Sequence, residues 1–112
     1  MGGGQGEGPG EGAGVSLPVV LRPEAAAEFN EAFDWYEAQR AGFGPAFAAE
    51  VQTVFDGIAA NPLRGRVTLA DIRQAVVRRF PYCVFYRPHA DRIEVIAVFH
   101  TSRDPSEWQS RA

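Results

Sequence analysis

Residues Arg78–Trp108 read RRFPYCVFYRPHADRIEVIAVFHTSRDPSEW, and this stretch decides the fold of the chain. Its hydrophobic segments, Tyr82–Tyr86 and Ile93–Phe99, are rich in the β-branched and aromatic residues that favour strands. Pro88 and Asp91 bound a short turn between them. The basic residues gather at the turns and strand ends: Arg78, Arg79, Arg87, Arg92, His100 and Arg103. We therefore predict two buried, antiparallel strands with a cationic rim, and the last strand as the centre of a sheet.

Two amphipathic helices are predicted upstream of these strands. Pro23 occupies a favoured first-turn position, and the first helix should run to about Gln39. The second helix should begin at Pro45 and end at Asn61-Pro62, with Asn61 as a left-handed cap. Apolar residues recur at helical spacing in both: Phe29, Ala32, Phe33, Tyr36, Phe47, Val51, Val54, Phe55 and Ile58. The short link between the helices predicts an antiparallel hairpin with facing apolar stripes.

The first helix also carries a row of acids. Its Trp35 lies outside the main apolar stripe, so it either bridges the two helices of the hairpin or stays partly exposed. The acids are Glu24, Glu28, Glu31 and Asp34. A metal or catalytic site is one interpretation of such a row. A solvated helix face is the commoner one, and it is the one we adopt.

The remaining segments complete an α+β domain of two layers. Leu17–Arg22 is a predicted strand of the same sheet, Leu63–Ala70 a loop bearing arginines, and Ile72–Phe80 a further strand. The tail to Trp108 should end in a helical turn, with Asp104 as N-cap and Glu107 as its capping-box partner. The predicted order is βααβββ, with the helix hairpin packed on a curved, mainly antiparallel sheet.

Length and composition indicate one domain. The chain has 112 residues, of which residues 1–16 form a glycine-rich segment with little apolar surface. Such a segment is predicted to be a disordered tail, which leaves residues 17–112 as the folded domain. A further hypothesis is that translation starts at Val15, and the intact mass of the protein made from its native gene would decide it.

Charge and residue usage exclude several classes of protein. The formal charge is −3 and all eleven cations are arginine, so the chain lacks the strong basicity of a dedicated nucleic-acid binder. The single cysteine, Cys83, excludes an internal disulfide, and two isolated histidines give no zinc pattern. No apolar run is long enough for a membrane span, and no signal peptide is recognisable. We expect a cytoplasmic protein without cofactor or metal.

Several consecutive motifs resemble the RelE/ParE superfamily of bacterial type II toxins, also called plasmid-stabilisation proteins. They are LRPEAAAEFNEAFDWYEAQRAGFGPAFAAEV, NPLRG, VVRRFPYCVFYR and IEVIAVFHTSRDPSEW, and the resemblance covers Pro18 to Trp108. The resemblance implies a growth-inhibiting toxin in a hetero-oligomer with a cognate antitoxin. RelE-like members cut mRNA on the ribosome, whereas ParE-like members poison DNA gyrase.

The nuclease set implied by RelE-like members looks incomplete in this chain. Cleavage through the 2′-hydroxyl needs a general acid, a general base and cations on the transition state. Cys83 stands where an arginine is expected, and Trp108 stands where an ionisable tyrosine is wanted. A cation survives after the last strand as Arg103, but His100, Thr101 and Ser102 precede it. The ParE-like interpretation is therefore preferred, with DNA gyrase as the expected target and no enzymatic activity.

Two alternatives stay open: a ribosome-dependent mRNA endonuclease, and an inactive relic that only binds a partner. The nuclease alternative would use Arg79, Arg87, His100 and Arg103. The residues predicted to bind a partner are Arg78, Arg79, Arg87, Arg103 and Trp108, because arginine pairs well with the carboxylates of acidic antitoxin tails. The expected docking place is the groove between the hairpin and the sheet, together with an open sheet edge. Cys83 is interpreted as a small buried side chain rather than an activated thiolate.

Overall fold

The computed structural model describes residues 16–112, so the tail predicted for residues 1–16 lies, except for Ser16, outside the described residues. Two layers are formed, a helix hairpin and a five-stranded sheet. In chain order the elements are β1 (Val19–Leu21), α1 (Pro23–Gln39), α2 (Phe43–Ala60), β2 (Arg66–Leu69), β3 (Ile72–Val76), β4 (Tyr82–Pro88), β5 (Ile93–His100) and α3 (Ser106–Gln109). The predicted α+β class is confirmed.

The helix hairpin follows the predicted apolar stripes, and two details of α2 differ from the prediction. The helix begins at Phe43 instead of Pro45, because the carboxylate of Glu37 on α1 accepts hydrogen bonds from the backbone N–H groups of Gly42 (3.0 Å) and Gly44 (2.9 Å). These donors would otherwise lack partners at a helix start. The predicted left-handed cap is wrong, since Asn61 has φ −142°.

The sheet has the strand order β1-β5-β4-β3-β2. β1 pairs with β5 in parallel, and all other pairs are antiparallel. The last strand, β5, has a strand on each side and is interior as predicted, although β4 is the middle strand of the five. The prediction of Leu63–Ala70 as a loop is wrong, because Arg66–Leu69 form the edge strand β2. Ala70, with φ +51°, helps to turn the chain into β3. That left-handed position usually carries glycine or asparagine, so the sequence lacked the hairpin signal.

A β-bulge in β5 decides which of its side chains face the helices. Phe85 pairs with Ala97, whereas Tyr86 pairs with Val95, so Ile96 is an extra residue without a partner on β4. The extra residue shifts the alternation by one position. Ile96 and Ala97 consequently face the same side, and Val98 returns to the side of the helices.

The two faces of the sheet bury separate hydrophobic clusters. The helix-side cluster joins α1 and α2 to the sheet, and its largest buried side chains include Phe47, Ile58 and Tyr86. On the other face, the C-terminal segment, residues 101–112, covers a smaller cluster. Its members are Ile72, Cys83, Phe85, Ile96, Ala97, Phe99 and Trp108. The fold therefore places two coverings of very different size on one sheet.

Candidate functional site

A groove between α2 and the sheet is the first candidate binding surface. Its volume is about 330 Å³, and we call it the arginine groove. Val54 and Ile58 of α2 and Ala75 of β3 form its apolar part. Its complete lining is Glu50, Thr53, Val54, Ile58, Arg64, Gly65, Arg66, Gln74, Ala75, Val76 and Arg78. Three guanidinium groups against one carboxylate give this groove a net positive charge.

Two of the predicted site residues, Arg78 and Arg79, lie together on the exposed turn between β3 and β4. Arg78 lines the arginine groove, and Arg79 reaches back to Glu50 of α2 at 3.6 Å. The backbone of Arg79 has φ +71°, a conformation that costs a non-glycine residue about 1 kcal/mol. The turn thus points two cations toward α2 at some cost in backbone strain.

The edge of the sheet beside this groove is open among the residues that the structure describes. β2 ends the sheet and has only β3 as a neighbour. Leu63, Val67 and Val76 near this edge are exposed hydrophobic side chains. An open edge with apolar side chains suits the addition of a partner strand.

Arg87 does not belong to the arginine groove, because it lies at the far end of β4. Its Nε donates a hydrogen bond to Asp71 at 2.8 Å, and its Nη1 lies 3.5 Å from Glu94. The hydrogen bond from Arg87 lowers the pKa of Asp71. Arg87 is therefore already engaged by two carboxylates of its own chain.

His100 and Arg103 lie near the opposite end of β4. The His100 ring contacts the Tyr82 ring edge-on, with centroids 5.0 Å apart, and its Nδ1 accepts a hydrogen bond from the Ser102 backbone N–H at 3.0 Å. Arg103 stacks over the Phe99 ring at 4.8 Å and pairs with Glu107. This pairing corrects the predicted capping box: Asp104 accepts from the Ser106 N–H at 3.0 Å, but Glu107 turns to Arg103.

Trp108 is buried, with only 2% of its surface exposed. Its ring stacks on Phe85 with centroids 4.0 Å apart and an interplanar angle of 16°. This placement corrects the prediction of Trp108 as a partner-binding residue, since a side chain inside a hydrophobic cluster offers no open surface. The ring instead attaches the C-terminal segment to the sheet.

Cys83 is also buried beneath the C-terminal segment, as the sequence predicted. Burial raises the pKa of its thiol, and the Gln74 amide, 3.6 Å from Sγ, only partly opposes that effect. A raised pKa keeps the thiol protonated at neutral pH, which disfavours nucleophilic chemistry.

Sequence reasoning missed the role of Glu28, and the prediction of a fully solvated acidic row is wrong for this residue. Glu28 is 8% exposed and accepts two hydrogen bonds from Arg111, at 3.1 and 2.7 Å. Its carboxylate also accepts a hydrogen bond from the Val98 backbone N–H at 3.1 Å, and Arg103 lies 3.8 Å away. A signal was present, because Ala25, Glu28 and Ala32 recur at i, i+3 and i+7, and all three are buried.

Residues 16–112 contain no group of three metal-ligating side chains. None of their helices has the length and apolarity needed to cross a bilayer.

Comparison with known proteins agrees with the fold. The family model for the ParE toxin of type II toxin-antitoxin systems, parDE, matches residues 19–105. Among solved structures, a chain from the chromosomal ParDE toxin-antitoxin system of P. aeruginosa aligns with a TM-score of 0.67 at 15% identity, covering 78% of this chain and 98% of that one. No curated protein sequence matches significantly. The family model spans most of the chain. The protein therefore belongs to the ParE toxin family, within the RelE/ParE superfamily, and it is a toxin of the type II toxin-antitoxin class.

Proposed function

We propose that this toxin inhibits growth by binding a host target, with DNA gyrase as the leading candidate, and that a cognate antitoxin neutralises it. The observation that carries the proposal is the dispersal of the nuclease candidates. His100 pairs with Tyr82 in the sheet, whereas Arg87 pairs with Glu94. The five-residue offset along β4 separates the two ends by roughly 16 Å, too far for both side chains to act on one phosphate.

The other nuclease candidates are no better placed for catalysis. Arg79 lies on the β3–β4 turn and pairs with Glu50, and Arg103 pairs with Glu107. A catalytic cation for phosphoryl chemistry must be directed at the developing negative charge. Binding without chemistry is the function that this arrangement supports best.

The antitoxin is proposed to occupy the arginine groove. Its cationic rim suits the carboxylates of an acidic tail, and the open edge of β2 suits an added strand. Arg78 is retained from the predicted partner residues because it lines the groove, and Arg79 is retained because its side chain stays 62% exposed despite its 3.6 Å contact with Glu50. Arg87 and Arg103 are dropped, because intramolecular carboxylates already engage them, and Trp108 is dropped because it is buried.

Inducing residues 1–112 in bacteria without the antitoxin tests the proposal. We expect growth arrest and gyrase-dependent DNA damage, with cellular transcripts left uncut. Co-expression of the protein encoded by the neighbouring short open reading frame should restore growth. Absence of any growth effect together with a retained antitoxin complex would instead identify an inactive relic.

Arg78→Glu tests the antitoxin groove separately. The variant should bind the antitoxin at least about tenfold more weakly, because a like charge replaces a charge-assisted contact. Arg92→Glu is the matched control, since Arg92 lies on the distant β4–β5 turn and pairs with Asp91. Equal antitoxin affinity for the two variants, measured by calorimetry, would exclude this docking place.

One observation favours the nuclease alternative enough to test it. Tyr82, His100 and Arg103 line a common cleft, so an ionisable ring, an imidazole and a guanidinium do come together there. Primer extension on transcripts from induced cells would show discrete cuts if this cleft cleaves RNA on the ribosome. Uncut messages under full growth arrest eliminate that alternative.

A further inference from the structure

A second groove lies on the α1 side of the sheet and is built around Trp35. The Trp35 side chain is 59% exposed, although an indole is among the costliest groups to leave in water. Two cavities of about 200 and 540 Å³ adjoin there, and both are lined by Trp35, Tyr82, His100 and Arg103. We call this surface the Trp35 groove.

The helix that carries Trp35 has only negative charges. Between Pro23 and Gln39 there are five acids and no lysine or arginine. Glu31 and Asp34 are exposed beside Trp35, and Glu31 lines the smaller cavity. One guanidinium faces the groove, that of Arg103, and it pairs with Glu107, whereas Glu28 pairs with Arg111. Among the described residues, Glu31 is the acid in the lining that has no ion pair. His100 is the remaining titratable basic group there.

The Trp35 groove and the arginine groove are separate surfaces, and the Trp35 groove lies beside the acidic helix α1 instead of a cluster of arginines. Their linings have no residue in common. One groove lies between α2 and β3, whereas the other lies between α1 and the ends of β4 and β5. An acidic partner segment suits the first groove, so the second groove is available to a different partner.

We propose that the Trp35 groove binds the cellular target, through a segment of that protein bearing arginine or lysine. This inference rests on the proposed function, in which the toxin acts by binding. A cation over the indole face gains a cation–π interaction, and Glu31 in the lining supplies the opposite charge, with the exposed Asp34 nearby on the same helix. Any enzyme that binds DNA must carry basic surface to meet the phosphates, so gyrase offers such segments. An exposed tryptophan in a concave site is also the residue type most often found as a binding hot spot.

The test compares three full-length variants with the wild type. Trp35→Ala removes the aromatic face, Trp35→Phe keeps one, and Glu31→Gln with Asp34→Asn removes the charges. Purified gyrase is the probe, with affinity measured by calorimetry at low and high salt. We expect Trp35→Ala to bind gyrase roughly tenfold or more weakly, Trp35→Phe to retain most of the affinity, and the double variant to lose the salt dependence.

Growth arrest is the second readout, and antitoxin binding is the control. Trp35→Ala should no longer stop growth but should bind the antitoxin as the wild type does. Arg78→Glu should do the reverse, stopping growth while escaping the antitoxin.

Failures of the two proposals are distinguishable. If wild-type toxin stops growth without binding gyrase, the proposed target is wrong. The groove is then tested by growth alone, and it still binds the target if Trp35→Ala no longer stops growth. Arrest or gyrase binding by Trp35→Ala at the wild-type level overturns the inference. The inference is also overturned if Trp35→Ala loses antitoxin binding, because the groove would then serve the antitoxin. It is likewise overturned if Trp35→Ala changes only self-association in sedimentation, because the groove would then bind a second copy of the toxin.

Discussion

The two faces of the sheet are covered in very different ways. Helices of 17 and 18 residues cover one face, and aromatic contacts join them to the sheet, such as Phe47 with Tyr82 on β4 and with Phe80 on the preceding turn. The other face is covered by a four-residue helix whose Trp108 stacks on Phe85, and Arg111 ties the end of that segment to Glu28 of α1. The difference teaches that packing is distributed on the helix side, whereas the second face depends on a few anchoring groups, chiefly Trp108 and Arg111.

The largest expected effect comes from removing the buried indole. Trp108→Ala should lower the free energy of unfolding by about 3–5 kcal/mol, because it leaves a large cavity over Phe85. Trp35→Ala is a matched control that removes the same side chain from an exposed position, and it should cost no more than about 0.5 kcal/mol. Urea denaturation of both variants checks the comparison. Similar losses would mean that the C-terminal segment is not anchored by its tryptophan.

The second prediction concerns the ion pair that ties the C-terminal segment to α1. Glu28→Gln should destabilise the fold by about 2 kcal/mol, since Arg111 would keep its charge without its buried partner. Glu31→Gln removes an exposed carboxylate one turn along the same helix and should be nearly neutral.

A double-mutant cycle sharpens this second test. Adding Arg111→Gln to Glu28→Gln should recover part of the loss, because no buried charge is then left unpaired. Strictly additive losses, measured by thermal and urea unfolding, would show that the two side chains are not coupled.

The smallest effect is expected at Glu94, which has basic neighbours but lies closer to solvent than Glu28. The hydrogen bond from His89 and the nearby Arg87 lower the pKa of Glu94 below its ordinary value of 4.5. A carboxylate with a lowered folded-state pKa stabilises the fold above its ordinary pKa and loses that contribution as the pH falls through the lowered value. Glu94→Gln should therefore cost about 1 kcal/mol at neutral pH.

The pH dependence provides the measurement for that prediction. Unfolding free energies of wild type and Glu94→Gln should converge as the pH falls below about 4.5 and the wild-type carboxyl becomes protonated. Asp91→Asn removes an exposed acid from the neighbouring turn and serves as the control. A difference that persists unchanged in acid would assign the loss to packing instead of charge.

The helix-covered face was the predictable one. Pro23 and the stripe from Phe29 to Tyr36 determine α1, because periodicity and helix-start chemistry act locally in the sequence. The continuous apolar run Ile93–Phe99 likewise predicted a central strand. Such signals depend on each element alone, and packing between them follows from their complementary apolar faces.

The second face could not be predicted in the same way, because its anchors are pairs distant in sequence. Glu28 and Arg111 are 83 positions apart, so the alanine spacing around Glu28 indicates a buried acid but does not identify Arg111 as its partner. Trp108 was assigned to a binding surface because nothing in its neighbourhood indicates that it stacks on Phe85. By contrast, the separation of Arg87 from His100 already followed from the predicted hairpin, because Arg87 adjoins the turn whereas His100 follows the far end of the last strand.

The region of the Ile96 bulge also determines how this protein would aggregate. β1 pairs with β5 only as far as Val95, so within residues 16–112 no strand lies beside the next part of that edge. Two side chains satisfy this edge instead. Glu28 accepts a hydrogen bond from the Val98 N–H, and Arg111 donates one to the Ile96 carbonyl. Open strand edges invite pairing between molecules. Loss of either side chain should therefore appear first as insoluble protein during overexpression, before any change in the fold itself.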